Sequence, residues 1–277
     1  MSTMTWLITG ASSGLGRGIA RAALLHGDRV AVTARDPHKL EDLADQFGDR
    51  VLPLPMEVTD PAQRHAVVAR TVQEFGGIDV LVNNAGKGHF GSVEDSTSED
   101  ISLLFQTNFF GPVGMIREVL PHMRKAGKGM IVNTSSMGVM FEGATGNAYY
   151  VASKAALEML SDVLGNEVEP LGIHVMILEP GAFRTEFRAA AIQSPDTQSE
   201  AYEKTATASM KYLSENPYNQ SGDPAKAGEA LYVAVHMNQP PKVLILGKGM
   251  IEVATKTLDD RKAEISKWRR IAESTDY

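Results

Sequence analysis

The chain of 277 residues contains no cysteine, which excludes disulfide bonds, thiolate zinc sites and a cysteine nucleophile. No apolar stretch approaches the roughly 20 residues of a membrane span. The amino terminus carries neither a basic region nor a cleavage signal. The net charge is −7 without a basic run, which argues against a nucleic-acid partner, and none of the 7 histidines has metal-ligand spacing. We expect a soluble cytoplasmic protein that requires no metal.

The hydrophobic residues, 43% of the chain, suffice for a full core, and single α/β domains of roughly 250 residues are common. Short apolar segments alternate with helical patterns, which predicts a single-domain, Rossmann-like doubly wound parallel sheet with helices on both faces. The domain would span residues 1–277, with a coenzyme-binding and catalytic core up to about residue 185. The predicted strands are 6–9, 29–34, 51–56, 78–82, 128–134, 173–178 and 242–246.

The glycine-rich stretch Gly10-Ala11-Ser12-Ser13-Gly14-Leu15-Gly16 joins the first strand to a predicted helix. A strand, a glycine turn and a helix aim backbone N–H groups at a phosphate. Glycines suit the turn because a Cβ would block both the turn and the approach of a pyrophosphate. A flexible loop is the alternative. We predict a nucleotide site here, with Gly10, Ser12, Ser13, Gly14, Leu15 and Gly16 as ligands.

The second strand ends at Ala34 and is followed by Arg35. In dinucleotide-binding folds an acidic residue at this point holds the ribose 2′-hydroxyl, whereas an Arg accommodates a 2′-phosphate. Arg35 therefore favours NADP(H) over NAD(H). The alternative makes Asp36 the ribose ligand, but Pro37 after it indicates that Asp36 caps a helix.

Tyr150 and Lys154 are separated by one helical turn and are expected on the same helix face. A phenol has a reference pKa of about 10, which a nearby ammonium lowers. Tyr150 could then exchange a proton with a carbonyl or an alcohol. An ordinary amphipathic helix is the alternative interpretation.

Polar residues follow two other predicted strands, Asn83 and Asn84 after one and Ser135 and Ser136 after another, and a Pro180-Gly181 turn follows a third. The amides of Asn83 and Asn84 could join strands or touch a ligand, and for Asn84 a structural role is favoured. Ligands of parallel sheets bind beyond the carboxyl ends of the strands, where these residues and the glycine turn are all expected.

Three motifs in this order resemble those of the short-chain dehydrogenase/reductase family over about residues 5–185: Thr9-Gly10-x-x-x-Gly14-x-Gly16, Asn83-Asn84-Ala85-Gly86 and Tyr150-x-x-x-Lys154. The resemblance implies reversible hydride transfer between a nicotinamide coenzyme and a ketone, an aldehyde or a secondary alcohol. It implies further coenzyme contacts at Glu57, Val58, Asn84, Ala85, Gly86, Tyr150, Lys154, Pro180, Gly181, Phe183 and Thr185.

The same resemblance assigns catalytic roles. Tyr150 would be the acid/base, and Lys154 would lower its pKa and bind the nicotinamide ribose. Ser136 would polarise the carbonyl, although its spacing to Tyr150 is one residue longer than usual and leaves Ser135 as the alternative. Asn108 would hold a water in the proton relay, unless it only distorts its helix, which Pro112 makes plausible.

Residues 186–222 lack strand signals and predict a helical lid over the site. Their apolar residues favour a hydrophobic substrate, although packing explains them equally well. Helices are predicted at 225–238 and in a tail at 250–277, with Trp268 as an anchor. A homodimer or homotetramer, paired through helices at 99–125 and 150–170, is implied by the resemblance.

Three rival functions are retained. An NAD-dependent alcohol dehydrogenase of the same family would use Asp36 on the ribose. A nucleotide-sensing regulator would bind NADP(H) without chemistry, but it needs no Ser-Tyr-Lys set. Epimerase or dehydratase chemistry on nucleotide sugars usually accompanies a longer chain and another glycine spacing.

Overall fold

The computed structural model describes residues 3–191 and 199–277. Within them, seven strands form one sheet in the order β3-β2-β1-β4-β5-β6-β7, with every neighbouring pair parallel. The doubly wound parallel sheet predicted from the sequence is confirmed. The chain runs outward from β1 to β3 and then returns beside β1 to start β4, so a crevice opens between β1 and β4 at their carboxyl ends. The strands are β1 (Thr5–Ile8), β2 (Arg29–Ala34), β3 (Val51–Pro55), β4 (Val80–Asn83), β5 (Gly129–Thr134), β6 (Ile173–Pro180) and β7 (Val243–Leu246).

The prolines of β3 are tolerated because this strand lies at an edge of the sheet. A proline cannot donate to a ladder, so it is confined to places where no N–H is needed. Strand β3 pairs with β2 from Val51 to Pro55.

Helices cover both faces of the sheet, and alternate residues of β1 point into two separate cores. Trp6 and Ile8 pack with helix residues such as Leu231, whereas Leu7 packs with residues such as Met115. The α-helices are α1 (Gly14–Leu25), α2 (Glu41–Phe47), α3 (Pro61–Phe75), α4 (Ser98–Phe105), α5 (Gly111–Ala126), α6 (Ala148–Val168), α7 (Phe187–Ala191), α8 (Ala208–Glu215), α9 (Pro224–Val235), α10 (Met250–Lys267) and α11 (Arg269–Glu273).

The helical pattern predicted at 99–125 is interrupted, as Pro112 suggested. A single π-helical turn, Gln106–Phe110, separates α4 from α5, and Pro112 lies at the start of α5. Such turns are frequent at functional sites because they reposition one side chain within a helix. Here the turn carries Asn108, which is fully buried.

The lid predicted at 186–222 contains α7 and α8, and its residues 192–198 lie outside the described part of the chain. The tail is helical, but Trp268 does not anchor it. Its side chain is 56% exposed and, among the described residues, its indole N–H bonds only to Glu264, within the tail itself. The tail is attached near its start, where the Thr257 hydroxyl donates to the Met140 carbonyl. Over the described residues, no helix combines the length and apolarity that a bilayer crossing requires.

Candidate active site

A cavity of about 1300 Å³ opens at the carboxyl ends of the strands. Its wall includes every residue predicted for coenzyme binding except Gly16, together with Ser136, Tyr150 and Lys154. Asn108 is not on the wall. The structure therefore collects in one place residues that are up to 175 positions apart, from Gly10 to Thr185.

The glycine turn is held in a conformation that side chains would obstruct. Gly10 and Gly14 have positive φ angles of 68° and 57°. A Cβ on Gly10 would lie 2.8 Å from the Cα of Ala85, and one on Gly16 would lie 2.4 Å from the Asn84 amide nitrogen. Helix α1 begins at Gly14, and the Ser13 side chain makes no capping hydrogen bond there. A helix start without a side-chain cap fits the phosphates of a dinucleotide.

Asn84 has the structural role that the sequence favoured. Its side-chain amide donates to the carbonyl oxygens of Thr9 (2.9 Å) and Gly10 (3.0 Å). In return, the Thr9 hydroxyl accepts from the backbone N–H groups of Asn84 (3.0 Å) and Ala85 (2.9 Å). Asn83 joins β4 to β5 through Asn133 (2.9 Å). The amides thus connect the glycine turn to the strand that precedes the catalytic half.

The end of β2 presents two cations to the cavity. Arg35 and Lys39 both lie on its wall, and neither side chain has a hydrogen bond or ion pair with any residue in the described ranges. Asp36 is off the wall, and its carboxylate accepts from the His38 N–H to cap the turn Pro37–Leu40. The predicted capping role of Asp36 is confirmed. Lys39 was not among the residues predicted from the sequence, although its place four residues after Arg35 could have indicated it.

Ser136 is the serine that the structure places at Tyr150. Its hydroxyl bonds to the phenol and also accepts from the Gly138 N–H at 3.0 Å. Ser135 is buried, and its hydroxyl donates to the Glu158 carboxylate behind the cavity wall. The two serines therefore face different partners, and the geometry favours Ser136 over Ser135 for a role toward a substrate.

The charges around Tyr150 differ from the expectation. Burial raises the pKa of Tyr150, and the weaker opposing effect comes from the bond to Ser136. The Lys154 ammonium donates to the Thr134 carbonyl at 2.7 Å, and burial lowers the pKa of Lys154 to about 8. The pKa of Tyr150 is therefore raised in this structure rather than lowered, because desolvation dominates and the ammonium is directed at a backbone oxygen. The lowering effect of Lys154 itself stays a prediction.

Asn108 connects the loop after β4 to the start of α6. Its side-chain oxygen accepts from the Lys87 N–H (2.8 Å), and its amide donates to the Lys87 carbonyl (2.9 Å) and the Ser153 hydroxyl (3.0 Å). Ser153 in turn donates to the Tyr150 carbonyl at 2.7 Å. One amide hydrogen of Asn108 is thus used on the loop after β4 and the other on Ser153 of α6. The relay water stays a prediction, and Ser153 is a site residue that the sequence analysis missed.

Helix α7, in the segment predicted as a lid, lies beside Tyr150. The ring centroid of Phe187 is 5.6 Å from that of Tyr150. Helix α7 approaches the loop after β4 so closely that a Cβ on Gly88 would lie 2.3 Å from the Ala191 Cβ. Apolar side chains line this end of the cavity: Phe90, Leu103, Phe141, Phe187, Tyr212 and Leu213.

Comparison with known proteins gives the family. The family model described as short chain dehydrogenase matches residues 4–196. The chain belongs to the short-chain dehydrogenase/reductase family and is an oxidoreductase of that family. It is 36% identical to the oxidoreductase BOA17 of Botryotinia fuckeliana over 271 residues, which is 98% of each chain. It is 38% identical to a 3-ketodihydrosphingosine reductase of Bacteroides thetaiotaomicron, over 85% of this chain and 84% of that one.

Comparison with solved structures gives the same family. A crystal structure of a short-chain dehydrogenase from Streptomyces avermitilis is 40% identical with a TM-score of 0.91, and 99% of each chain is covered. A serine dehydrogenase complexed with NADP⁺ is 27% identical with a TM-score of 0.75, over 88% of this chain and 94% of that one. A 3-ketoacyl-(acyl-carrier-protein) reductase from Brucella melitensis complexed with NADH is 26% identical with a TM-score of 0.74, over 89% and 98%. Some relatives thus bind NADP⁺ and others bind NADH.

Proposed function

We propose that this protein is an NADP(H)-dependent oxidoreductase that interconverts a hydrophobic ketone or aldehyde and the corresponding alcohol. The observation that carries the proposal is the pairing of the Ser136 hydroxyl with the Tyr150 phenol on the wall that also holds Lys154 and the glycine turn. A regulator that only sensed a nucleotide would not need this pair.

The coenzyme, when bound, supplies the hydride for reduction or accepts it in oxidation. Ser136 would donate a hydrogen bond to the substrate carbonyl oxygen and so stabilise the negative charge that develops there. Tyr150 would donate its proton to the same oxygen. Because burial raises the pKa of Tyr150, the phenol is kept protonated at neutral pH, which suits the reductive direction. The Lys154 side chain would contact the nicotinamide ribose.

Preference for NADP(H) is supported by Arg35 and Lys39. Two cations without a partner among the described residues, at and shortly after the end of β2, would suit the 2′-phosphate of NADP(H). An Arg can hold such a phosphate through two parallel hydrogen bonds. The capping role of Asp36 removes the acidic group that NAD(H) would have used on its ribose.

A hydrophobic substrate is supported by the aromatic and aliphatic wall beneath the lid. Phe187 lies beside the acid/base, where it would contact the group next to the carbonyl and exclude water. A relative that acts on 3-ketodihydrosphingosine, by its name, supports a ketone with a long apolar chain.

Association of identical chains is proposed through α4, the π-helical turn after it, and α6. Four large apolar side chains on these elements are 47–60% exposed: Leu103, Phe110, Met159 and Val163. Covering them in a dimer would remove apolar surface from water. Sedimentation analysis would show a mass of at least twice 29.9 kDa, and a monomer at assay concentration would refute the dimer and the tetramer alike.

The test of the proposed function follows the absorbance of reduced nicotinamide with NADPH and NADH in parallel, against a panel of ketones and aldehydes of increasing chain length. We expect NADPH oxidation that increases with the apolar length of the carbonyl compound, and little oxidation of NADH. A preference for NADH would overturn the interpretation of Arg35 and Lys39. Tight NADPH binding without turnover across the panel would refute the substrate class.

A further inference from the structure

A buried acidic residue lies directly behind the catalytic wall. Glu158 is one turn after Lys154 on α6, just as Lys154 is one turn after Tyr150, so the three side chains follow one face of the helix. The Glu158 side chain is buried, and its carboxylate accepts a hydrogen bond from Ser135. Ser135 is the residue before Ser136, and its backbone N–H donates to Leu178 at 2.7 Å.

Glu158 is surrounded by two acidic residues on different elements and by one basic residue. Asp162 follows it on α6, and Glu179 approaches from the end of β6. Glu179 is itself buried, and one of its carboxylate oxygens has no partner in the described part of the chain. Lys154 is the cation that faces this group. Burial and the acidic neighbours raise the pKa of Glu158 to about 7, against the opposing effects of Ser135 and Lys154.

A buried carboxylate at position 158 costs folding free energy unless its negative charge interacts favourably with a neighbouring group. Burying a charge disfavours folding unless partners compensate it. A glutamine oxygen could accept the same bond from Ser135 without a charge. What only the carboxylate provides is a negative charge beside Lys154, whose own burial drives it toward the neutral amine.

We propose that Glu158 is a positioning residue that keeps Lys154 in its ammonium form and ties Ser135, and with it Ser136, to helix α6. The effect on Lys154 is a property of the folded chain, whereas the effect on turnover rests on the proposed function. The two parts are separable, since the charge acts on Lys154 and the hydrogen bond acts on the serines.

The first experiment measures the charge of Lys154 without any turnover. The chain is produced with lysine labelled with ¹³C at Cε, the Lys154 signal is assigned by its loss in Lys154→Arg, and its midpoint is followed by NMR against pH. We expect a midpoint near 8 in the unchanged protein, lower by about one pH unit in Glu158→Gln. Glu158→Asp keeps the charge and should restore most of the shift. Glu167→Gln, at an exposed position of α6, should leave the midpoint unchanged. Equal midpoints in Glu158→Gln and the unchanged protein would overturn the proposal.

The second experiment uses the pH profile of kcat/KM for carbonyl reduction. The high-pH limb should move to lower pH in Glu158→Gln. Ser135→Ala keeps the carboxylate but removes a hydrogen bond that holds its pKa down, so it should lower kcat several-fold and move the limb less than Glu158→Gln does. A uniform loss of rate at every pH in Glu158→Gln would mean a structural role only and would refute the control of Lys154. If Glu158→Gln does not fold, Glu158→Asp and Ser135→Ala still test the hydrogen bond to Ser135. Absence of turnover in the unchanged protein would count against the proposed function and leave the NMR result standing.

Discussion

At the coenzyme end of the cavity the decisive feature is the space left by glycines, which have no Cβ. At the catalytic end it is the close spacing of buried ionisable side chains. Gly10, Gly14 and Gly16 leave space that a single Cβ would fill. Around Tyr150, by contrast, burial lowers the pKa of Lys154 from 10.5 to about 8, and burial together with acidic neighbours raises that of Glu158 from 4.5 to about 7.

The hydrogen bonds follow the same division. The glycine turn is fixed by neutral groups, the Thr9 hydroxyl and the Asn84 amide, which do not titrate. The catalytic wall is fixed by bonds to ionisable groups, such as those of Lys154 to Thr134 and of Ser135 to Glu158. The coenzyme end should therefore be sensitive to added volume and insensitive to pH, and the catalytic end the reverse.

Tyr150→Phe removes only the phenol oxygen and should abolish most of the chemistry. General acid catalysis typically contributes ~10²–10⁴-fold in rate, so kcat should fall by about that factor. The Kd for NADPH, measured by fluorescence, should change less than about twofold, since the glycine turn is untouched. Tyr149→Phe is the control, because the neighbouring phenol donates to Val93 away from the cavity wall. A near-normal kcat in Tyr150→Phe would show that Tyr150 is not the group that transfers the proton.

Gly16→Ala tests the coenzyme end with one methyl group. The new Cβ would lie 2.4 Å from the Asn84 amide and 2.5 Å from the Gly10 carbonyl, so the turn must shift. Overpacking of this kind costs about 1–3 kcal/mol, and NADPH affinity should fall roughly 10–100-fold, equally at every pH. Gly77→Ala is the matched control, because a Cβ there meets nothing within 4 Å. Unchanged affinity in Gly16→Ala would indicate that the turn does not hold the coenzyme.

The coenzyme end was also the part that the sequence predicted best, because its information is local. The spacing of glycines after a strand, and Pro37 after Asp36, depend on backbone conformation within a few residues, and both predictions agree with the structure. The structure also brings Ser136, which was favoured over Ser135, to Tyr150, and its catalytic role stays a prediction.

The catalytic end was predicted less completely, because its energetics depend on packing between distant segments. The four-residue spacing of Tyr150, Lys154 and Glu158 is visible in the sequence. The contacts of Glu158 with Ser135 and Glu179 are not, since they require β5, β6 and α6 to meet. The direction of the pKa shift of Tyr150 was wrong for the same reason, because it is set by burial.

Arg35→Ala should raise KM for NADPH while leaving KM for NADH nearly unchanged. Loss of a charged hydrogen bond costs about 1.5–3 kcal/mol, so KM for NADPH should rise roughly 10–100-fold, while KM for NADH stays within about twofold. The comparison is steady-state kinetics with both coenzymes. Asp36→Asn keeps an oxygen for the capping bond and should leave both constants unchanged. A large loss of NADH affinity in Asp36→Asn would instead support the ribose role for Asp36.

Glu179→Gln should give the smallest effect of the four variants. The expected change is only in how the free energy of unfolding depends on pH. Burial, aided by the negative charge of Asp162, raises the pKa of Glu179 above the ordinary 4.5. At this group the folded state then binds more protons than the unfolded state, so the contribution of Glu179 to stability falls as pH rises above about 4.5. Glutamine does not titrate, so urea denaturation should show the variant gaining relative stability as pH increases through this range, with Glu167→Gln as the exposed control on α6. Parallel stability curves for Glu179→Gln and the unchanged protein would mean that the buried carboxylate is compensated, and that the contrast between the two ends of the cavity is confined to Lys154 and Glu158.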